Sequence, residues 1–212
     1  MKYKEGYAYH IKDEYFKLVQ DSNLMQNKEG GNYRPTFFCI RDEKTSLLWM
    51  VPLSSRIEKY SEIHNKQLER YGNCLTICLG DYDGKPSAFL LQNMFPITDR
   101  YIDHVHTKNG NPIPVKYSIA QEVKHKMEQL KQLVARGKKI VFPDITRLQK
   151  LMLEELEIDR QTALKQINLQ PGAQPTPRPR SMTENLAEAR RICAERNAAA
   201  PDAPPRDKGK DR

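Results

Sequence analysis

The chain has 212 residues, 38% of them hydrophobic, and a mean hydropathy of −0.76. That is enough for one sizeable domain or two small ones, but too polar for every residue to sit in a packed core. Lys and Arg number 35 against 27 Asp and Glu, a net charge of +8 that suits a polyanionic partner; no run of eighteen apolar residues and no secretory-type leader is present, which argues against a membrane span and for a cytoplasmic protein.

The first β-like run covers Gly6 to Ile11. Here and just beyond, Tyr7, Tyr9 and Tyr15 alternate with His10, Lys12 and Lys17. Aromatic rings interleaved with bases suit stacking on unpaired nucleotides, although tyrosines also fill half-buried strands. The stretch GGNYRPTFF then leads through Arg34 and Pro35 into a second run, Thr36 to Asp42, and DEKT turns into a third, Ser46 to Leu53.

Pro52 cannot donate to a ladder, so the third strand is expected to end near it, with Ser54 and Ser55 at the turn into a polar helix, SRIEKYSEIHNKQLERYG. Either serine suits a helix N-cap. Two hydroxyls, Arg56 and free helical N–H groups also make a phosphate cradle, and the two roles are compatible.

Further runs follow at Cys74 to Gly80 and Ser87 to Asn93, joined by DYDGKP, and at Ile113 to Ser118. A helix opens with Ser118 and Gln121 as a capping box, buries Ile119, Val123, Met127, Leu130 and Val134, and stops at Gly137. Another follows Pro143 and Asp144. Adjacent hairpins plus helices predict an α+β domain with a small, mostly antiparallel, barrel-like sheet.

Seven of the 14 prolines lie beyond residue 170. Residues 1–168 are therefore read as the folded domain and 169–212 as a Pro-rich, extended tail with a short helix over 183–199. From Pro171 the tail carries nine basic against six acidic residues, leaving the body 26 against 21, so the body is basic in its own right. The four cysteines (39, 74, 78 and 193) are too scattered for a disulfide framework. Cys74 and Cys78 with His104 or His106 lack the tight turn of a zinc knuckle, and no metal or other cofactor is expected.

The motifs YAYHIKDEYF, YRPTFFCI, WMVPLSSRIEKY and FLLQNMFPIT, with the long helix after VKYSIAQE, keep an order that resembles the type III toxin–antitoxin endoribonucleases of the ToxN, AbiQ and CptN kind, closest to CptN. The resemblance spans roughly residues 7–155. It implies an SH3-like barrel akin to the MazF and Kid toxins and metal-independent cleavage of single-stranded, often adenine-rich RNA. It also implies inhibition by a small repeat RNA antitoxin, folded as a pseudoknot, which the toxin cuts from its precursor. By position, the family's active-site hydroxyl pair falls on Ser54 and Ser55 and its N-terminal tyrosine on Tyr15. Where the ToxN branch has a lysine this chain has Thr36, so Arg34 or Arg56 must supply the cation.

In RNA self-cleavage the ribose 2′-OH is the nucleophile, so a protein need only align the chain, move protons and stabilise the phosphorane. Arg34, Arg56, Ser54 and Ser55 are assigned to charge stabilisation; His10 is a candidate base, while His104 and His106 are read as lying on a solvated helix end. Tyr9, His10, Lys12, Thr36, Lys124, Lys131 and Lys138 are candidate RNA contacts, although lysines in charge runs are often only a solvated face. A non-catalytic RNA-binding regulator, and an interaction protein that uses its Pro-rich tail, are the competing function classes.

Overall fold

The computed structural model describes residues 3–29 and 31–168. The Pro-rich tail, the helix expected over 183–199 and Cys193 lie outside the described residues. Met1–Thr162 form one compact unit; Ala163–Arg212 form a second, described only as far as Asn168.

In chain order the elements are β1 (Ala8–Ile11), α1 (Asp13–Val19), β2 (Lys28–Glu29), β3 (Asn32–Tyr33), β4 (Thr36–Arg41), β5 (Leu48–Ser54), α2 (Ile57–Tyr71), β6 (Ile77–Tyr82), β7 (Lys85–Leu90), β8 (Phe95–Ile97), β9 (Ile102–Val105), β10 (Thr107–Lys108), β11 (Asn111–Pro112), α3 (Tyr117–Ala135) and α4 (Ile145–Asn168). The main antiparallel sheet runs β6-β7-β5-β4-β1-β9, with β8 also on β5. Its two ends, β6 and β9, do not pair with each other among the described residues, so the sheet stays open where an SH3-like barrel was expected to close. Strand β5 divides one edge between two partners: Leu48 to Met50 pair with β8, and Leu53 and Ser54 pair with β7.

Pro52 falls in the interval between those partners, where no ladder hydrogen bond is asked of its nitrogen. The strand therefore continues past it instead of stopping, with Leu53 N–H donating to Pro35 C=O at 3.1 Å. Alternation along the strands sorts side chains to two faces. Phe37, Trp49, Val51 and Phe89 pack with Val123, Met127 and Leu130 of α3, whereas Phe38, Met50 and Phe95 pack with Tyr15 of α1 and Leu148 and Met152 of α4. Each such side chain contributes about 1.5–3 kcal/mol by leaving water. Gly80 lets α3 lie close on β6, because a Cβ there would meet Ile119 Cδ1 at 2.4 Å.

Several sequence expectations shift. Ile113 to Ser118 forms no strand; only an isolated bridge joins Pro114 to Tyr7, since Pro112 and Pro114 deny the ladder its donors. The sixth strand starts at Ile77, not Cys74, because Cys74 Sγ and Thr76 Oγ1 both donate to Gln67 Oε1 and hold the loop against α2. Helix α3 begins at Tyr117, one residue before the expected cap, and Lys116 at its N-cap makes no side-chain capping bond.

Candidate active site

Where β5 ends, four segments converge on a cleft of about 320 Å³. The strand entry supplies Asn32, Tyr33, Arg34 and Pro35; the end of β5 supplies Leu53, Ser54 and Ser55; the β6–β7 hairpin supplies Tyr82, Asp83, Lys85 and Ser87; His106 follows β9. The hairpin turns on Asp83 and Gly84, both at positive φ (54° and 72°), the geometry of a two-residue type I′ turn. That turn sets Asp83 and Lys85 on the cleft wall.

Arg34 is 9% exposed and its guanidinium ties the strand entry to the end of β5, Nη1 donating to Leu53 C=O at 2.6 Å and Nε to Gln26 C=O at 3.2 Å. The guanidinium brings positive potential to the cleft lining. Ser54 is buried, and its Oγ accepts the Arg56 N–H at 3.3 Å, while Ser55 is exposed. Neither hydroxyl caps α2: the N-cap position belongs to Arg56, and the Ser55 carbonyl takes the Ile57 N–H at 2.8 Å. Arg56 faces a neighbouring depression of about 260 Å³, whose walls include Lys28 and Tyr60 and share Arg34 and Ser54 with the cleft.

The histidines form the least expected part. His10 Nε2 and His106 Nδ1 are 2.9 Å apart, and His104 stacks on His10 with ring centroids 4.6 Å apart. One residue more in β9 than in β1, between the pairs Tyr9↔Val105 and Ile11↔Ile102, makes the register shift at His10. His106 Nε2 lies 4.0 Å from Asp83 Oδ2, and Asp83 Oδ1 pairs with Lys108 Nζ at 2.7 Å. Burial, then the nearby charges of His104 and His106, push His10 down to about 4. Burial also lowers His106, against the opposing pull of Asp83. Both rings are therefore neutral near pH 7.

Ser54, Ser55 and Arg34 thus share one cleft, with Arg56 beside it. Tyr15 does not join them: it is fully buried between Phe95 and Tyr101, and its hydroxyl donates to Pro96 C=O at 3.0 Å. Among the candidate RNA contacts, Tyr9 and Thr36 are buried too, Tyr9 Oη bonding the backbone of Lys4 in both directions. Both belong to the core because their strands are flanked on each side. Lys12 is exposed and donates to Arg100 C=O at 2.9 Å. On α3, Lys124 pairs with Glu5 at 3.9 Å, and Lys131 pairs with Asp42 at 3.0 Å and lies 4.4 Å from the Trp49 ring centroid. Lys138 is exposed beside a separate hollow that includes Phe142 and Asp144.

Sequence reasoning missed Tyr33, Asp83, Lys85 and the position of His106, which it put on a helix end. The Asp-Gly hairpin signal was present, but its distance in sequence from Ser54 hid the contact that β5–β7 pairing makes. Among the described residues no group of three or more His, Cys, Asp or Glu is arranged to hold a metal ion, and no helix is long and apolar enough to cross a membrane.

No protein-family model and no curated relative matches the chain. Among solved structures, it is similar to AbiQ, a lactococcal anti-phage endoribonuclease belonging to the type III toxin–antitoxin system, with a TM-score of 0.53 and 15% identity over 73% of this chain and 98% of that one. At this identity the similarity shows a shared fold.

Proposed function

We propose that this chain is an endoribonuclease toxin of a type III toxin–antitoxin pair, cutting single-stranded RNA at the end of β5. The observation that carries the reading is the meeting of Ser54, Ser55, Arg34, Lys85 and His106 in one cleft, on a fold shared with AbiQ. The open sheet is read as a variant of the SH3-like barrel. Residues 1–168 are the catalytic unit, and 169–212 are an appended tail.

In the reaction the ribose 2′-oxygen bonds to phosphorus and the P–O5′ bond breaks, so the 2′-OH loses a proton and O5′ gains one. The products are a 2′,3′-cyclic phosphate and a 5′-OH end. Arg34 and Lys85 offset charge developing on the non-bridging oxygens, and the serine hydroxyls donate to them. Each preformed donor lowers the barrier by about 2.7–4 kcal/mol. No water has to be activated, which is why the chemistry asks for no resident metal. The partner is a small pseudoknotted repeat RNA that the protein cuts from a precursor; retained in the same cleft, it blocks cellular or phage messenger RNA.

Purified protein incubated with single-stranded RNA in EDTA tests this. Cyclic phosphate and 5′-OH ends are the expected products, also after deletion of residues 171–212, and Ser55→Ala should abolish growth arrest. RNA that is shifted in a gel yet never shortened would replace the reading with that of an RNA-binding regulator.

A further inference from the structure

His10 and His106 approach within hydrogen-bonding distance, 2.9 Å, so one proton lies between them, and its owner decides what His106 shows to the cleft. We propose that His10 is a positioning residue for His106: its Nε2–H donates to Nδ1 of His106 and so fixes His106 as a donor, through its own Nε2–H, to the phosphate of RNA in the cleft. The inference rests on the endoribonuclease reading for its ligand and on the local geometry for the proton.

Two observations place the proton on His10. Nε2 of His106 faces the Asp83 carboxylate at 4.0 Å, which favours an N–H on that nitrogen and leaves Nδ1 as the acceptor. Nδ1 of His10 is buried with no hydrogen-bond partner among the described residues. With the proton on Nε2 this atom is a bare lone pair, whereas the opposite arrangement would enclose an N–H with no acceptor, a rare and costly state.

The surroundings keep the pair neutral. His104 stacks on His10 and Asp103 lies beside it; Tyr33 meets its edge, with ring centroids 6.3 Å apart; Tyr82 lies against His106; and Lys108 occupies the other oxygen of Asp83. A proton added to Nδ1 of His106 would set two N–H groups face to face. The neutral donor is therefore held ready without reorganisation, as charge stabilisation on a phosphorane requires.

Nuclear magnetic resonance of the ¹⁵N-labelled protein at neutral pH reads the proton directly. Scalar coupling across the N–H···N bridge should link the two rings, with hydrogen attached to Nε2 of His10 and Nε2 of His106. Hydrogen on Nδ1 of His106, or no coupling at all, overturns the proposal. In cleavage assays, His10→Phe, which keeps the stack on His104, should lower kcat about tenfold to a hundredfold at unchanged KM, by analogy with the orienting partners of metal-bound histidines. His10→Gln retains an amide donor and should recover most of that loss. Equal loss in both variants, or none in His10→Phe, overturns the positioning role. A parent protein that cuts no RNA sinks the endoribonuclease reading alone, and the resonance result still decides the proton.

Discussion

The cleft at the end of β5 and the flanks of α3 both carry cations, yet in different surroundings. On α3, Lys126 meets Glu122 at 2.7 Å and the Ile77 carbonyl at 3.1 Å, Lys131 meets Asp42 and Trp49, and Lys124 meets Glu5. These charges are met within the fold and serve packing. In the cleft, Arg34 and Lys85 stand with hydroxyls, a neutral imidazole and the Asp83 carboxylate around an open volume. Net charge cannot tell the two apart; the open volume that the cleft side chains line does.

Substitutions can break that contrast. Arg34→Met should cost at least about a hundredfold in single-turnover cleavage, and about 1–3 kcal/mol in a urea melt because the Leu53 and Gln26 carbonyls lose their donor. A variant that cuts normally would put the chemistry elsewhere. Gly80→Ala tests the other region. Its Cβ must displace Ile119 under α3, so unfolding should become easier by about 1–3 kcal/mol while cleavage by the folded fraction stays at the parental rate.

Smaller effects sharpen the comparison further. Lys85→Ala should reduce the slope of log affinity for single-stranded RNA against log salt by about 0.7, whereas Lys124→Ala should leave that slope unchanged in the same filter-binding series. The last test is of pH. Burial raises Asp42, but the Lys131 hydrogen bond and the Thr45 contacts outweigh it and hold its carboxyl at about 2, below the ordinary 3.8. A depressed carboxylate stabilises the fold above its unfolded pKa and loses that contribution as pH falls through the folded one. Stability should therefore decline from about pH 4 toward 2, and Lys131→Met should flatten that part of the acid-unfolding curve.

Much of the fold was legible where local pattern and tertiary environment agree. The periodic face of α3, Val123, Met127 and Leu130, lies where the spacing placed it, and the runs Thr36 to Asp42 and Ser46 to Leu53 hold the strands β4 and β5. What failed was orientation. Tyr9 and Tyr15 look like a stacking platform in sequence, but Tyr9 lies on a strand covered on both faces and Tyr15 on the face of α1 packed against Phe95 and Tyr101. The site was half legible: Ser54 and Ser55 declared themselves at a strand end, while His106 and Lys85 entered through pairings of β9 with β1 and of β7 with β5 that no local motif encodes.

The divided edge of β5 has a mechanical consequence. One strand belongs to three ladders, so Ser54 at its tip is anchored to the β6–β7 hairpin on one side and, through β4, to the layer carrying His10 on the other. A guest that strains the cleft pulls on both halves together, and slow amide exchange at Leu53 and Ser54 would register its grip as a tightening of the entire sheet.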